Sequence, residues 1–257
     1  MDPKRVPRTG GADRLVAGRL FAGTSGFSYP GWTPRFYPSG LGAAGFLSHY
    51  ARHLSAVELN NTYYASPSPA KVAAWVAATP SDFRFAVKAQ RGGSFRALQA
   101  DPLVSVPWLT GPFWAFGERL GTVLFRVPEG VERDDVKLAA LLAAWPRDLP
   151  LTLEFQDPSW HVDETFAALA GVGAALCATE VPEDAEPPTI RRTGAFLYVR
   201  LRRLDYSVAE LEAWAARLEP FLTAGDDVYV FFRHDEVGRG PELARALAAT
   251  VEVLRRG

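Results

Sequence analysis

Residues 57–64 read VELNNTYY, which begins as an alternating strand and ends as a run of polar and aromatic side chains. Alternate side chains of a strand face opposite sides, so Glu58 and Asn60 share one face while the apolar residues beside them face the other. A Pro-Ser-Pro turn at residues 67–69 follows. A strand that ends in a carboxylate and two amides usually directs them at a ligand, and the rest of the chain decides where this strand lies.

Short β-rich runs like this one recur along the chain, and stretches with helical spacing and good helix formers separate them. The other runs are residues 20–23, 83–87, 122–125, 151–155, 174–177, 196–199 and 228–232, and the helical stretches are 69–78, 133–145, 163–169, 208–222 and 241–254. Strands that alternate with helices form parallel sheets, and eight such strands close on themselves. A doubly wound open sheet is the alternative, but GTSG at residues 23–26 is too short for its phosphate-binding fingerprint. We therefore predict a TIM-type (β/α)8 barrel.

The barrel is predicted to be a single domain, residues 19–257, after a flexible N-terminal tail at residues 1–18. No linker-like change of composition divides the chain, and α/β barrels of about this length are common single domains. Long loops are predicted after the first, third and sixth strands, the last two at residues 90–107 and 180–188. These loops follow the carboxyl ends of strands, where barrels carry their functional loops.

Overall composition excludes several classes of protein. The formal net charge of -1 gives no reason to expect bulk attraction to nucleic acid or anionic lipid. A single cysteine excludes an intramolecular disulfide and a multi-cysteine zinc site. No apolar run is long enough for a signal peptide or a membrane helix. We therefore predict a cytoplasmic protein without a membrane partner; the oligomeric state is not indicated.

Six predicted strands end in a charged residue on the face that would point into the barrel: Glu58, Lys88, Arg126, Glu154, Arg200 and Arg233. If the sheet closes, these side chains converge on one mouth. Charges are costly to bury unless they are paired, and a barrel core normally takes branched apolar residues. Four cations against two carboxylates leave a positive excess, which suits a small phosphorylated or other anionic substrate. An internal salt-bridge network is the structural alternative.

Three of these residues are the candidate catalytic groups. Glu58 and Glu154 are the candidate acid and base, with pKa values set by burial and by neighbouring cations. Lys88 could form a Schiff base, although its charged neighbours favour an electrostatic clamp. Hydrolase, lyase and isomerase chemistry all fit this pattern, and the sequence does not choose among them.

Further residues are predicted to contact the substrate. Aromatic residues cluster after the first strand, where they form either a packed lid or a stacking surface for a base or sugar, and Trp160 after the fifth strand has the same two interpretations. The predicted substrate-binding set is Ser25, Tyr29, Trp32, Asn60, Asn61, Tyr64, Arg126, Trp160, Arg200 and Arg233.

Metal-ligand spacings such as H-E-x-x-H are absent from the sequence. An oxygen-rich magnesium or manganese site is less favoured because cations adjoin its candidate ligands, which are Glu58, Glu154, Asp157, His161 and Glu180. We predict no metal site, and the sequence identifies no cofactor.

Several of these stretches together resemble one family. GTSGFSYPGW at residues 23–32, VELNNTYY at 57–64 and FRFAVKA at 83–89 are followed in order by LFRVP at 124–128, EFQDPSW at 154–160, YVRL at 198–201 and VYVFF at 228–232. The combination resembles the domain of unknown function 72 family, also called YecE-like proteins. This resemblance covers residues 20 to about 250 and implies a TIM-type barrel without assigning an activity. The residues that match its motifs are Glu58, Asn61, Thr62, Tyr64, Lys88, Glu154, Trp160 and Arg200.

The second half of the chain departs from the family pattern at strand ends. The family commonly has Gln in place of Arg126, and other residues at 156–157, 202–203 and 233–234. These changes suggest either an altered substrate or a site that no longer catalyses a reaction.

Three functions therefore compete. The leading hypothesis is an enzyme that acts on a small anionic substrate at the barrel mouth by carboxylate acid/base chemistry. The second is a nucleotide or nucleic-acid binding module that uses the aromatic residues and loop arginines, which the near-neutral net charge disfavours. The third is a catalytically inactive barrel that binds a protein partner.

Overall fold

The computed structural model describes residues 17–183 and 186–256, so most of the predicted N-terminal tail lies outside the described residues. Eight strands form in these ranges: β1 (Leu20–Thr24), β2 (Ala56–Leu59), β3 (Arg84–Lys88), β4 (Leu120–Val127), β5 (Leu151–Phe155), β6 (Ala175–Glu180), β7 (Phe196–Leu201) and β8 (Asp227–Phe232). Each overlaps one predicted strand. The sixth runs three residues beyond its predicted end.

Eight α-helices accompany the strands within the described ranges: α1 (Phe46–Tyr50), α2 (Pro69–Ala77), α3 (Arg91–Gln99), α4 (Pro102–Thr110), α5 (Asp135–Ala144), α6 (Asp163–Val172), α7 (Val208–Thr223) and α8 (Arg239–Leu254). At the starts of α2, α3, α4, α5 and α7, a side chain accepts a hydrogen bond from a free main-chain N–H group. In α7, Ser207 and Glu210 form a reciprocal capping box. Among the described helices, none combines the length and apolar character needed to cross a membrane.

The strands form one parallel sheet in the order β1-β8-β7-β6-β5-β4-β3-β2. Its two ends meet through a parallel bridge between Ser25 and Glu58, where the Gly26 N–H donates to the Glu58 carbonyl oxygen at 2.8 Å. Gly23 permits this approach, because a Cβ there would lie 1.9 Å from the Ala56 carbonyl oxygen. We call this joint between β1 and β2 the seam. The predicted TIM-type barrel is confirmed.

Two apolar cores lie on either side of the barrel wall. The larger core packs the outward face of the strands against the helices. The smaller core fills the barrel interior with Phe21, Ala56, Ala86, Leu124, Cys177, Tyr198, Tyr229 and Phe231. The charged side chains lie toward the carboxyl ends of the strands, where Lys88 and Arg200 are in register with Leu124 and Phe231 of this core.

The prediction of a long loop at residues 90–107 is wrong, because these residues form α3 and most of α4. Gln90 caps α3 by accepting from the Gly93 N–H at 2.6 Å. Gly93 allows close helix packing, since a Cβ there would lie 2.7 Å from Trp108 on α4. The segment after the third strand is therefore helical, and Gly93 serves the contact between α3 and α4.

The loops predicted after the first and sixth strands are present. After β1, residues 25–45 contain two short 3₁₀ turns at Pro30–Trp32 and Ala43–Gly45. Between β6 and β7, residues 181–183 and 186–195 form neither helix nor strand. Both loops follow carboxyl ends of strands, on the same side of the barrel as the charged side chains.

Candidate functional site

The barrel mouth carries six charged side chains, here called the charged cluster: Glu58, Lys88, Arg126, Glu154, Arg200 and Arg202. Five come from the ends of β2, β3, β4, β5 and β7, and Arg202 follows β7 directly. Strand alternation turns the five into the barrel, as predicted. Because most of the cluster is buried, its charges must be satisfied mainly by one another.

Arg200 links the two sides of the mouth. Its Nη2 donates to Glu58 Oε1 at 2.9 Å, and its Nη1 donates to Glu154 Oε1 at 2.5 Å. All three side chains are buried. The ion pairs of the salt-bridge alternative are therefore present, and they use one cation for both carboxylates.

Glu58 is fully enclosed and has partners on both carboxylate oxygens. Besides Arg200, Ser25 Oγ and Asn60 Nδ2 donate to Oε1 at 2.9 and 3.0 Å, and the Tyr198 hydroxyl donates to Oε2 at 2.8 Å. Burial raises the pKa of Glu58, but nearby cations, chiefly Arg200, and the Tyr198 hydrogen bond outweigh it and hold the pKa at about 2. Glu58 is therefore an ionised anchor at neutral pH.

Glu154 has one oxygen without a hydrogen-bond partner among the described residues. Its Oε1 accepts from Arg200 and from Thr179 Oγ1, the latter at 3.0 Å. Its Oε2 lies 3.6 Å from Arg126 Nε, too far for a hydrogen bond, and both atoms are buried and unpaired. Burial raises the pKa of Glu154, yet Arg200, Lys88 and Arg126 together lower it. Glu154 is therefore ionised at neutral pH, with one oxygen able to accept a proton.

Only 6% of the Lys88 surface is exposed, yet no carboxylate of the described residues lies within ion-pair distance of its Nζ. The ammonium lies 4.5 Å from the centre of the Tyr63 ring, a cation–π contact. Burial, followed by the positive charge of Arg200, lowers the pKa of Lys88 to about 8, although Glu58 and Glu154 oppose the shift. Lys88 therefore titrates close to neutral pH.

Three residues of the site were outside the predicted catalytic and substrate-binding sets, although Arg202 is one of the loop arginines of the nucleic-acid hypothesis. Arg202 donates through Nη1 to Ser25 Oγ at 3.0 Å, and burial and Arg200 lower its pKa. Tyr198 and Thr179 each donate a hydroxyl to one carboxylate of the cluster. Tyr198 lies two residues before Arg200 on the same strand, so alternation alone could have indicated it.

The other predicted polar contacts differ in position. Ser25 and Asn60 both bond to Glu58, as described above. Asn61, Tyr64 and Arg233 are exposed, and in the described part of the chain none forms a hydrogen bond or ion pair with the charged cluster. The structure therefore brings together five of the six predicted strand-end charges. The prediction for the sixth, Arg233, is wrong, because β8 ends at Phe232 and leaves Arg233 exposed at the rim.

The predicted aromatic contacts lie largely in packed surroundings. Trp32 is 0% exposed, and its indole N–H donates to the Asp235 carbonyl oxygen at 2.7 Å. Trp160 is also buried, stacks on Phe155 and donates to a main-chain oxygen. Tyr29 is half-buried and stacks on His234 with ring centres 5.0 Å apart. These contacts match the packed-lid interpretation, and neither tryptophan is open to a ligand in this conformation.

Two clefts adjoin the charged cluster at the neighbouring strands β4 and β5. One of about 640 Å³ includes Arg126 with Tyr63 and the amino end of α3 in its lining. Another of about 570 Å³ includes Glu154 and Thr179. A small molecule in the first cleft would contact Arg126, and one in the second would contact Glu154. The Arg126 Nε and Glu154 Oε2 atoms themselves are enclosed between them.

A metal ion has no obvious set of ligands in this site. In residues 17–183 and 186–256, no three His, Cys, Asp or Glu side chains are grouped so that they could hold one. The two cluster carboxylates are instead bound by Arg200.

Solved structures that superpose on this chain include proteins from two organisms. A DUF72 family protein from Thermotoga maritima MSB8 superposes with a TM-score of 0.79 at 25% identity, over 91% of this chain and 99% of that chain. A DUF72 family protein from Enterococcus faecalis V583 gives a TM-score of 0.72 at 20% identity, over 94% of this chain and 99% of that chain. These likenesses agree with the barrel described above.

Sequence relatives carry family names without an activity. The UPF0759 protein YunF of Bacillus subtilis (strain 168) is 23% identical, over 84% of this chain and 90% of that protein. The UPF0759 protein YecE of Escherichia coli (strain K12) is 39% identical over 69 residues, which are 27% of this chain and 23% of that protein. The family model described as "Protein of unknown function DUF72" matches residues 21–256. The resemblance noted in the sequence is thereby confirmed, and the chain belongs to the DUF72 family.

Proposed function

We propose that this barrel is an enzyme that binds a small anionic substrate at its mouth. The observation that carries the proposal is the distribution of charge: four cations of the cluster face two carboxylates, and Arg200 alone hydrogen-bonds both carboxylates. Arg126 and Arg202 are left without a hydrogen bond to a carboxylate among the described residues. A phosphate or carboxylate group is the natural partner of such guanidinium groups.

Glu154 is the carboxylate best placed for proton transfer in this proposal. Its Oε2 has no hydrogen-bond partner, whereas both oxygens of Glu58 are occupied. Its lowered pKa keeps it ionised at neutral pH, so it can accept a proton from a bound substrate but starts without one to donate. Glu58 then serves to hold Arg200 and Tyr198 in position.

The nucleic-acid alternative receives less support from the aromatic lid. Bases stack on open aromatic faces, but Trp32 is enclosed and Tyr29 already stacks on His234. A small ligand needs no such platform. It needs only the cations and the clefts beside them.

Thermal unfolding with inorganic phosphate, pyrophosphate or succinate, at matched ionic strength, tests the proposal. A ligand at ten times its Kd stabilises the native state by about 1.4 kcal/mol. For a chain of this size that corresponds to a rise in Tm of roughly 3–6 °C. We expect the rise for at least one of these anions in the wild type.

Two variants locate the effect. Arg126→Met should lose the rise in Tm, while Arg52→Met, which removes an exposed cation before β2 at the other end of the barrel, should keep it. The absence of a rise with all three anions, or an equal rise in Arg126→Met, would refute the proposed anion site. Glu154→Gln should retain the rise, because it removes a carboxylate beside Arg126 and Arg200 but no guanidinium group.

A further inference from the structure

Lys88 is the buried cation of the mouth that the ion-pair network leaves aside. Arg200 hydrogen-bonds both carboxylates, and no ion pair or hydrogen bond of Lys88 Nζ forms with the described residues. Nζ is also not among the fully enclosed polar atoms that lack a partner, so it reaches accessible space. A lysine that only balanced charge would be expected to contact a carboxylate.

The main chain beneath Lys88 is held in place. The Thr62 hydroxyl lies 2.7 Å from the Lys88 carbonyl oxygen and 2.7 Å from the Leu59 carbonyl oxygen, so it ties the ends of β2 and β3 together. The next residue, Ala89, donates its N–H to the Leu124 carbonyl oxygen on β4 at 2.9 Å. The amine therefore extends from a fixed point at the strand end toward the Tyr63 ring.

The surroundings also favour the neutral amine. Burial and the positive charge of Arg200 lower the pKa of Lys88 to about 8. At pH 7.5 about a quarter of such a lysine is uncharged, compared with about 0.1% for a lysine of ordinary pKa. Only the uncharged amine has the lone pair that attacks carbon.

We propose that Lys88 is a nucleophile that forms an imine with a small aldehyde or ketone carrying a phosphate or carboxylate group. The proposal rests on the proposed function in one respect: Arg126 and Arg202 hold the anionic group. With the guanidinium groups available for that task, Lys88 is free to react with the carbonyl carbon. This assignment replaces the electrostatic clamp that the sequence favoured.

The reaction balances without an oxidant or a reductant. The neutral Nζ attacks the carbonyl carbon, a C–N bond forms, and the carbonyl electron pair moves to oxygen. A proton passes from nitrogen to that oxygen and gives a carbinolamine. Glu154 then returns to the hydroxyl the proton that it took from the Lys88 ammonium before the attack, water leaves, and the C=N bond forms in a protonated imine. Glu154 Oε2, which lacks a hydrogen-bond partner, is the carboxylate atom available to accept and return a proton.

Borohydride trapping tests this proposal on the whole chain. The protein is incubated at pH 7.5 with dihydroxyacetone phosphate or pyruvate, reduced with sodium borohydride and digested, and adducts are mapped by mass spectrometry. Lys71 and Lys137 are internal controls, because Lys71 contacts Trp75 at the surface and Lys137 pairs with Asp134. We expect Lys88 to be labelled at least about tenfold faster than either control, in keeping with its larger neutral fraction.

Two further measurements make the result decisive. Inorganic phosphate should slow the labelling of Lys88 in the wild type but not that of Lys71. Lys88→Arg, checked for native circular dichroism, should lose the adduct at this position without a gain elsewhere. Labelling of Lys88 no faster than of Lys71 would overturn the imine proposal, even if phosphate still raises the Tm. A missing rise in Tm together with rapid, phosphate-insensitive labelling would refute the anion site and the anionic substrate class instead.

Discussion

Replacing Arg200 with methionine should destabilise the fold, because it leaves two buried carboxylates without their shared cation. Removal of one partner from a buried ion pair costs about 3–5 kcal/mol. Glu58 keeps its bonds from Ser25, Asn60 and Tyr198, and Glu154 keeps Thr179. We therefore expect the free energy of unfolding to fall by about 3–5 kcal/mol for the two carboxylates together, rather than by twice that value. The corresponding fall in Tm is roughly 6–20 °C.

The pH dependence of stability should reverse in this variant. In the wild type, the pKa of Glu58 is lowered from 4.5 to about 2. This group therefore contributes about 3 kcal/mol above pH 4.5, which is lost as the pH falls from about 4.5 to about 2. Without Arg200, burial should raise the pKa of Glu58 and of Glu154 above the unfolded value. Arg200→Met should then gain stability between pH 7 and pH 5, where the Glu58 contribution in the wild type is constant.

Guanidinium chloride unfolding, followed by far-ultraviolet circular dichroism and tryptophan fluorescence, measures both effects. The triple variant Arg200→Met with Glu58→Gln and Glu154→Gln leaves neither carboxylate buried without its cation. It should therefore recover most of the lost free energy of unfolding. Arg52→Met, an exposed control, should change the free energy of unfolding by less than about 0.5 kcal/mol. A loss below about 1 kcal/mol in Arg200→Met, or a triple variant less stable than it, would refute the reasoning.

Tyr198→Phe removes the hydroxyl that donates to Glu58 and should cost about 1–3 kcal/mol in equilibrium unfolding, since a buried acceptor is left unpaired. Lys88→Met should raise the free energy of unfolding at pH 7 by up to about 3 kcal/mol, because the pKa of about 8 shows that burying the charged amine is costly, and this cost is relieved as the pH rises toward 10.5. In unfolding measured against pH, the stabilities of the variant and the wild type should converge above pH 8. A variant less stable than the wild type at pH 7 would contradict this. Gly23→Ala places a Cβ 1.9 Å from the Ala56 carbonyl oxygen and should cost about 3 kcal/mol or more, so a wild-type Tm would contradict the close approach of β1 and β2.

The sequence predicted the barrel and the inward residues of its mouth because both follow from strand periodicity. Once eight strands are arranged as a closed parallel sheet, alternation alone turns Glu58, Lys88, Glu154 and Arg200 toward one axis. Their pairing was not predictable, because it depends on which side chains meet across the barrel. The structure shows that Arg200 bonds both carboxylates and leaves Lys88 apart.

The residues whose position or role was not predicted lie mostly where the regular alternation of the predicted strands ends. Arg202 follows the last residue of β7, so alternation no longer fixes its direction. Thr179 lies beyond the predicted end of the sixth strand, which in fact continues to Glu180. Trp32 and Trp160 were proposed as ligand contacts from residue type, yet the local course of the chain buries both rings. The segment at residues 90–107 was predicted as a loop, whereas it forms α3 and most of α4, which pack closely at Gly93.

The seam between β1 and β2 has a consequence for the motions of the barrel. Glu58 joins the two strands twice, through its main-chain oxygen to the Gly26 N–H and through its side chain to Ser25 Oγ. The same side chain bonds Arg200 and Tyr198 on the far wall. Transient opening of this joint therefore requires the interior charges to rearrange at the same moment. The rate of hydrogen exchange at the Gly26 amide, which lies on the barrel wall, should therefore change when the ion pairs of the mouth are altered.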